Sequence, residues 1–291
     1  MSTSPAEARA TIAIVILTFN EELNLPFALE SVRGLASEVF IVDSGSTDKT
    51  VEIAESYGAN VCTHAFTNQA AQFNWALDNL PITSEWVLRL DADEYLLPEL
   101  RAEIIDRLQT LPDDVTGVFL NRRLIFLERW IRYGAYYPVW LLRIFRNGKA
   151  RSELTEMDEH IVLSEGRSVQ FKHDFCDHNR KGLSAWLRKH DGYAGRQART
   201  IQRFRLDAEK GEVQPKFWGT PVEHKRWLKK NIYSAAPPFL RAFLFFAYRY
   251  VFRLGFLDGK QGLIFHFLHA CWFMFYVDAI IFESELHKQN D

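Results

Sequence analysis

Three short apolar runs, each stopped at its carboxyl end by polar and acidic residues, constrain this chain more than any other feature. Ile12-Ala13-Ile14-Val15-Ile16-Leu17 runs into Thr18-Phe19-Asn20-Glu21-Glu22. Val39-Phe40-Ile41-Val42 runs into Asp43-Ser44-Gly45-Ser46-Thr47-Asp48, and Trp86-Val87-Leu88-Arg89-Leu90 into Asp91-Ala92-Asp93-Glu94. Unbroken apolar runs of this length suit strands covered by helices on both faces. Helical patterns lie between them, from about Asn24 to Gly34, from Lys49 to Tyr57 with Gly58 placed as a cap, and from Ala70 to Leu80. Val61-Cys62-Thr63-His64 reads as a further strand. Strands alternating with helices predict an α/β fold built on a mostly parallel sheet with right-handed crossovers. Ligands of such sheets bind just past the carboxyl ends of the strands, which is where the polar stops fall.

From about Gly117 the rhythm changes. Val118-Phe119-Leu120 and Leu141-Leu142-Arg143-Ile144-Phe145 read as strands, with an aromatic loop from Trp130 to Trp140 between them. A charged helix is expected from Gly182 to about Asp207, and a boundary near Gly211 to Pro221, where Gly and Pro recur. The expected organisation is a flexible N-terminus over 1–11, a catalytic domain over 12–220 and a basic, aromatic helical region over 221–291. Lys225, Arg226, Lys229 and Lys230 flank Trp227 in that last region, and Pro237-Pro238 precedes Phe239 to Phe256. Arg241, Arg249 and Arg253 would share one face of a helix otherwise made of Phe, Leu, Ala and Tyr, a pattern suited to a membrane interface. The run Leu263 to Phe282 is long enough to cross a bilayer at roughly 20 residues. It contains His266, His269 and Asp278, so an in-plane or re-entrant placement fits equally, as does packing in a homodimer.

Composition narrows the function class. A formal net charge of −2 argues against general nucleic-acid binding. The three cysteines, Cys62, Cys176 and Cys271, are far apart with no metal-type spacing, which points to a reducing compartment. The first residues, Met1 to Thr11, lack an apolar signal core.

The polar strand ends carry the chemistry. Asp91 and Asp93 present two carboxylates one residue apart, suited to a hard divalent cation that keeps positions open for substrate phosphates. Asp43, as an acceptor-only group, is placed to bind a base or ribose, and Gly45 permits close backbone approach to a ligand. The same residues have plainer readings: Asp43 to Asp48 as an Asx-turn entering a helix, Ser46, Thr47 and Asp48 as capping residues, and Glu21 and Glu22 as first-turn acids.

These segments, together with Tyr137-Pro138, Leu142-Arg143-Ile144-Phe145-Arg146, Met157-Asp158-Glu159-His160, Arg188-Lys189-His190-Asp191-Gly192-Tyr193-Ala194 and Gly255-Phe256-Leu257-Asp258-Gly259, resemble the family-2 glycosyltransferases. The later segments are similar to bacterial enzymes that build lipopolysaccharide core, capsule or exopolysaccharide. The resemblance implies a GT-A (Rossmann-like) fold and inverting transfer from a nucleotide-diphosphate sugar, by default a UDP-sugar such as UDP-glucose. It also implies a divalent cation, Mn2+ or Mg2+, and a lipid-linked oligosaccharide or lipopolysaccharide acceptor at the cytoplasmic face of the bacterial inner membrane. Thr18, Asn20 and Glu21 would line the nucleotide pocket, Asp43 would contact the uracil or other base, and Asp91 would lie near the ribose or sugar. Asp93 would be the main metal ligand, with Asp91 beside it. Glu159 would be the general base, with Asp158 as the alternative, because many relatives have His-Glu where this chain has Asp158-Glu159-His160. Arg143 or His178 would contact the diphosphate or acceptor. Trp130, Tyr133, Tyr136, Tyr137 and Trp140 are aromatic candidates for stacking on acceptor sugars. A polyprenyl-phosphate sugar synthase and a non-catalytic membrane-docked scaffold are the competing readings. A nucleotidyltransferase fits less well, since the position after the first strand holds neither glycine nor cation.

Overall fold

The computed structural model of the protein describes residues 11–153, 160–209 and 237–290. The chain forms two compact units, Met1–Trp130 with Tyr137–Lys181, and Ile131–Tyr136 with Gly182–Asp291.

The first unit is a helix-flanked sheet. β1 (Ile12–Thr18), β2 (Glu38–Asp43), β3 (Asn60–Thr63) and β4 (Trp86–Asp91) lie in the order β3-β2-β1-β4, all parallel. The register sets Thr18 opposite Asp43 and Leu17 opposite Asp91, so the polar strand ends meet at one edge. Beyond β4 the sheet is mixed. Ala92 and Asp93 alone separate β4 from β5 (Glu94–Leu96), too few residues for a crossover helix, and β5 pairs antiparallel at the far edge. β6 (Val115–Phe126), β7 (Arg129–Trp130), β8 (Trp140–Arg146) and β11 (Arg167–His178) complete it, with β8 inserted antiparallel between β4 and β6. β9 (Ala150–Ser152) and β10 (Ile161–Leu163) form a separate two-stranded ladder. This is the Rossmann-like architecture that the resemblance implies.

Helices cover both faces. α1 (Leu25–Val32) and α4 (Pro98–Arg107) each carry proline in the first turn, where its missing N–H costs no bond. α2 (Thr50–Ser56) is followed by Gly58 at φ +75°, the left-handed position expected of a cap. α3 (Gln69–Asn79) is capped by Asn68, whose side chain accepts from the Ala71 N–H at 2.7 Å. The alternation of β1 divides the core. Ile12, Ile14 and Ile16 pack with Leu25, Leu29, Leu100 and Ile104, whereas Val15 packs with Phe73, Val87 and Phe145. Truncating Phe73 or Phe145 to alanine should cost about 3–5 kcal/mol.

The second unit is helical: α5 (Gly182–Glu209), α6 (Leu240–Ala247), α7 (Gly259–His266) and α8 (Phe273–Asn290). Ala194 and Ala198 of α5 pack with Ala242, Phe273, Met274, Val277 and Ile281. α5 therefore groups with the C-terminal helices, whereas the sequence pattern places it with the catalytic domain. The expected boundary near Gly211 to Pro221 and the basic residues 225–230 lie outside the described residues.

The expected arginine face over Phe239 to Phe256 does not form. α6 passes into a π-helical stretch, Tyr248–Phe252, which shifts the helical phase, and Leu254 then takes a φ of +60°. Arg241 is buried and ion-paired to Asp278 of α8, with Nε donating to Oδ2 at 2.9 Å. Arg249 lies over the Tyr136 ring at 4.4 Å, and Arg253 is exposed. The helix from Gly255 to His287 is long and apolar enough to cross a membrane, and half of its most apolar window is buried within the protein. The Asp278 that interrupts it is the buried partner of Arg241.

The strap Ile131–Tyr136 belongs to this helical unit. The Tyr133 N–H donates to Asp258 Oδ2 at 2.9 Å, the Gly134 N–H to the Arg253 carbonyl at 2.9 Å, and the Tyr136 hydroxyl lies 2.6 Å from His269 Nδ1. Gly134 has φ +71°, and a Cβ there would sit 2.0 Å from the His266 ring, so only glycine fits. The five aromatic candidates therefore divide, with Tyr133 and Tyr136 in the helical unit and Trp130, Tyr137 and Trp140 in the sheet unit.

Candidate active site at the carboxyl edge of the sheet

Two loops are laced together past β1 and β2. Asp43 is 2% exposed, and its carboxylate is filled by its own chain. Oδ1 accepts from the Thr18 and Ser46 hydroxyls at 2.8 and 2.5 Å, and Oδ2 from the Gly45 and Ser46 N–H groups at 2.9 and 2.7 Å. Four donors match the capacity of a carboxylate. Asp43 thus organises the turn that its Asx-turn reading describes, and Gly45 supplies the φ of +88° that the turn requires. Across the gap, the Asn20 N–H donates to Ser46 Oγ at 2.8 Å, and Asn20 Oδ1 accepts from the Thr47 N–H at 2.8 Å. Asp48 receives the N–H groups of Thr50 and Glu22 at 3.0 and 3.2 Å.

The Asp91-Ala92-Asp93 turn sits beside them on a buried ionic footing. Asp91 accepts from Arg143 Nη2 at 3.1 Å, with Arg89 Nε 3.5 Å away. Glu94 is 2% exposed, accepts the Asp91 N–H at 2.9 Å and is ion-paired to Arg143. Burial pushes the Glu94 carboxyl up to about 8, with Arg143 pulling against it and Asp91 and Asp177 adding to it. Burial disfavours charge on Arg143, but Glu94 and Asp91 outweigh it and hold the guanidinium charged. Arg143, expected at the diphosphate or acceptor, is here the buried counter-ion beneath the turn.

The end of β11 closes the site. His178 is buried; its N–H donates to the Asp93 carbonyl at 2.8 Å, and its Nε2 lies 3.1 Å from Glu128 Oε1. Burial and the neighbouring Arg180 lower its pKa. Asn179 Nδ2 donates to Asp93 Oδ2 at 3.1 Å, and Lys181 Nζ to Glu21 Oε1 at 2.5 Å. Burial raises the Glu21 pKa, while Lys181 and Asn24 oppose the rise. Glu94, Asn179, Arg180 and Lys181 were not among the residues expected from sequence. A polar cluster directly after a strand was the available signal for the last three.

Asp158 and Glu159 lie outside the described residues. The Glu153 N–H donates to the His160 carbonyl at 2.9 Å on either side of them, and Asn74 of α3 holds both backbone groups of Ser152 at 2.9 Å. Among the described residues, no group of three or more His, Cys, Asp or Glu side chains forms a metal cage. Asp91 and Asp93 instead offer two partly exposed hard-oxygen donors on one turn, a set that fits a cation completed by phosphate oxygens and water.

An uncharacterised glycosyltransferase of Rickettsia bellii is 43% identical over 93 residues, which cover 32% of this chain and 31% of that protein. The match thus spans about a third of the length of that relative. The lipopolysaccharide core biosynthesis glycosyltransferase LpsC of Rhizobium meliloti is 32% identical over 165 residues, covering 53% of this chain and 58% of LpsC. Among solved structures, glucosyl-3-phosphoglycerate synthase of Mycobacterium tuberculosis, in complex with Mn2+, UDP and glucosyl-3-phosphoglycerate, aligns over 39% of this chain and 44% of that one. Its identity is 24% and its TM-score 0.34, too slight a likeness to add to the topology above. Residues 13–167, more than half of the chain, match the model of glycosyl transferase family 2, and the chain belongs to that family.

Proposed function

We propose that the protein is an inverting glycosyltransferase that moves a sugar from a nucleoside-diphosphate donor, a UDP-sugar by default, to a hydroxyl of a lipid-linked glycan or lipopolysaccharide. Its place would be the cytoplasmic face of the inner membrane. The observation that carries this reading is the Asp91-Ala92-Asp93 turn, held by the Arg143–Glu94 pair at the strand edge where Thr18, Asn20, Glu21 and Asp43 gather. The similarity to LpsC supports the acceptor class.

Asp93 and Asp91 would hold a divalent cation, Mn2+ or Mg2+, which supplies positive charge against the leaving diphosphate. The loops of β1 and β2, cross-bonded through Asn20, Ser46 and Thr47, give the nucleotide a rigid wall. Glu159, or Asp158, takes the proton from the acceptor hydroxyl as its oxygen attacks the anomeric carbon. The bond from that carbon to the diphosphate breaks as the new one forms, and the configuration inverts. Lys181 and Arg180 place further positive charge near the edge where the diphosphate would lie.

Calorimetric titration of UDP and GDP, with and without Mn2+, tests the donor site. Tight binding that needs the cation, and its loss in Asp93→Ala, is the expected result. Glu159→Gln should keep binding and lose about 10²–10⁴-fold in turnover. Normal transfer by Glu159→Gln would move the base role to Asp158. Failure of every nucleotide to bind would favour the scaffold reading.

A further inference from the structure

The segment after β11 cross-links, through side chains, the loop after β1 and the turn after β4, beyond the last paired residues Leu17 and Asp91. The Asn24 side chain takes the Arg180 N–H on Oδ1 at 2.8 Å and gives its Nδ2 to Glu21 at 2.8 Å. Asn179 takes the Lys181 N–H on Oδ1 at 2.9 Å and gives its Nδ2 to Asp93 at 3.1 Å. Consecutive backbone donors, 180 and 181, thus fix the sense of two side-chain amides. A flipped amide would set an NH2 against an N–H, so each is held with its donor toward a carboxylate. Asn24 is fully buried and Asn179 half-buried, so these bonds meet limited competition from water.

We propose that Asn179 is a positioning residue for the divalent cation: it holds Asp93 Oδ2 and leaves the other carboxylate oxygen to the ion. The proposal rests on the reading of Asp93 as a cation ligand. Carboxylates that ligate metals are commonly hydrogen-bonded by a neighbour that fixes their orientation, and loss of that neighbour weakens the metal rather than the rest of the site. The side-chain hydrogen bonds of Asn179 go to Asp93 and the Lys181 N–H, and not to the β1 and β2 loops that would face the base, so binding of nucleotide without cation should depend on it little. Lys181 supplies the second end of the brace. Its backbone N–H orients Asn179, while its ammonium holds Glu21 of the loop after β1.

The test uses the full-length chain and three proteins, wild type, Asn179→Leu and Asp93→Ala. Mn2+ affinity is read from the electron paramagnetic resonance signal of free Mn2+ at saturating UDP, and UDP affinity without metal by calorimetry. Asn179→Leu should weaken Mn2+ binding about 10–100-fold and leave metal-free UDP affinity within about twofold. Unchanged Mn2+ affinity in Asn179→Leu, with Asp93→Ala deficient, overturns the positioning role and leaves the cation site standing. Equal loss of metal-free and metal-dependent binding overturns it too, by showing a general structural role. Full Mn2+ affinity in Asp93→Ala removes the cation-ligand reading, and the proposal with it. Should Asn179→Leu melt well below wild type, Asn179→Ser, smaller and still polar, takes its place with the same readouts.

Discussion

Arg143 and Glu94 separate stability from function at the level of single residues. Both are nearly sealed from solvent, and each is the main charge partner of the other. Burial already raises the pKa of the Glu94 carboxyl, so Arg143→Met would leave it to take a proton and stay buried without its partner, and urea unfolding should show a loss of about 1–3 kcal/mol. Adding Glu94→Leu should recover much of that loss, because the unpartnered buried carboxyl is gone. A double variant no better than Arg143→Met would mean that Asp91, not Glu94, is the partner that matters. Glu94 was not legible in the sequence. An acid after Asp-x-Asp reads as one more exposed carboxylate, and only the start of β5 at that position, with an arginine 49 residues away, turns it inward. Asp43 was legible as a strand-end carboxylate. Its four intramolecular donors were not, because residue spacing does not reveal which neighbouring loops cross-bond.

Between elements, α4 is fastened to β11 through a defect in the strand. The β6–β11 register breaks between Gln170 and Asp174, leaving the N–H groups of Lys172 and His173 outside the ladder. Glu103 of α4 accepts both at 3.0 Å, and Arg107 donates to it at 2.7 Å. Burial raises the Glu103 pKa, but these donors outweigh it, and the carboxyl titrates below its ordinary value. A folded pKa below the unfolded one gives stability that is present above about pH 4.3 and lost as pH falls through the folded value. Denaturation midpoints measured across this range should fall for wild type, and Glu103→Gln should close its gap with wild type as the solution is acidified. A constant gap would show that the charge is not the source. The first half of the sheet was readable because unbroken apolar runs announce its strands. β11 was not, since Arg167, Lys172, His173 and Asp174 break any alternation, and neither β5 nor α4 has a strong pattern of its own.

For the molecule as a whole, the helical unit presents a run of apolar residues to solvent. Phe252 is 76% exposed, and Val251, Leu254, Phe256 and Leu257 are between 45% and 52% exposed. Exposed Arg253 and Lys260 flank them, a pairing that suits anionic headgroups over acyl chains. We expect the protein to sediment with vesicles containing anionic lipid. Phe252→Ser with Phe256→Ser should lower the partition coefficient at least tenfold, from about 1.5–3 kcal/mol per large apolar side chain withdrawn from lipid. Dimers in light scattering with no vesicle binding would instead assign the face to a second copy. The sequence located this region but not its makeup: composition shows that 239–282 is aromatic and apolar, whereas the pairing of Arg241 with Asp278 depends on how α6 meets α8.

The strap Ile131–Tyr136 sets a timetable for the growing chain. Tyr133 leaves the ribosome 125 residues before Asp258, to which its N–H is bonded. At roughly 5–20 residues per second, that bond waits some 6–25 s. For most of that interval β6 and β8 of the sheet are already available to pair, while the aspartate and histidine partners of the strap do not yet exist. A nascent chain arrested just after Lys181 should therefore protect β1 to β4 from proteases while leaving 131–136 open to cleavage, and only a chain extended past Asp258 and His269 would close it.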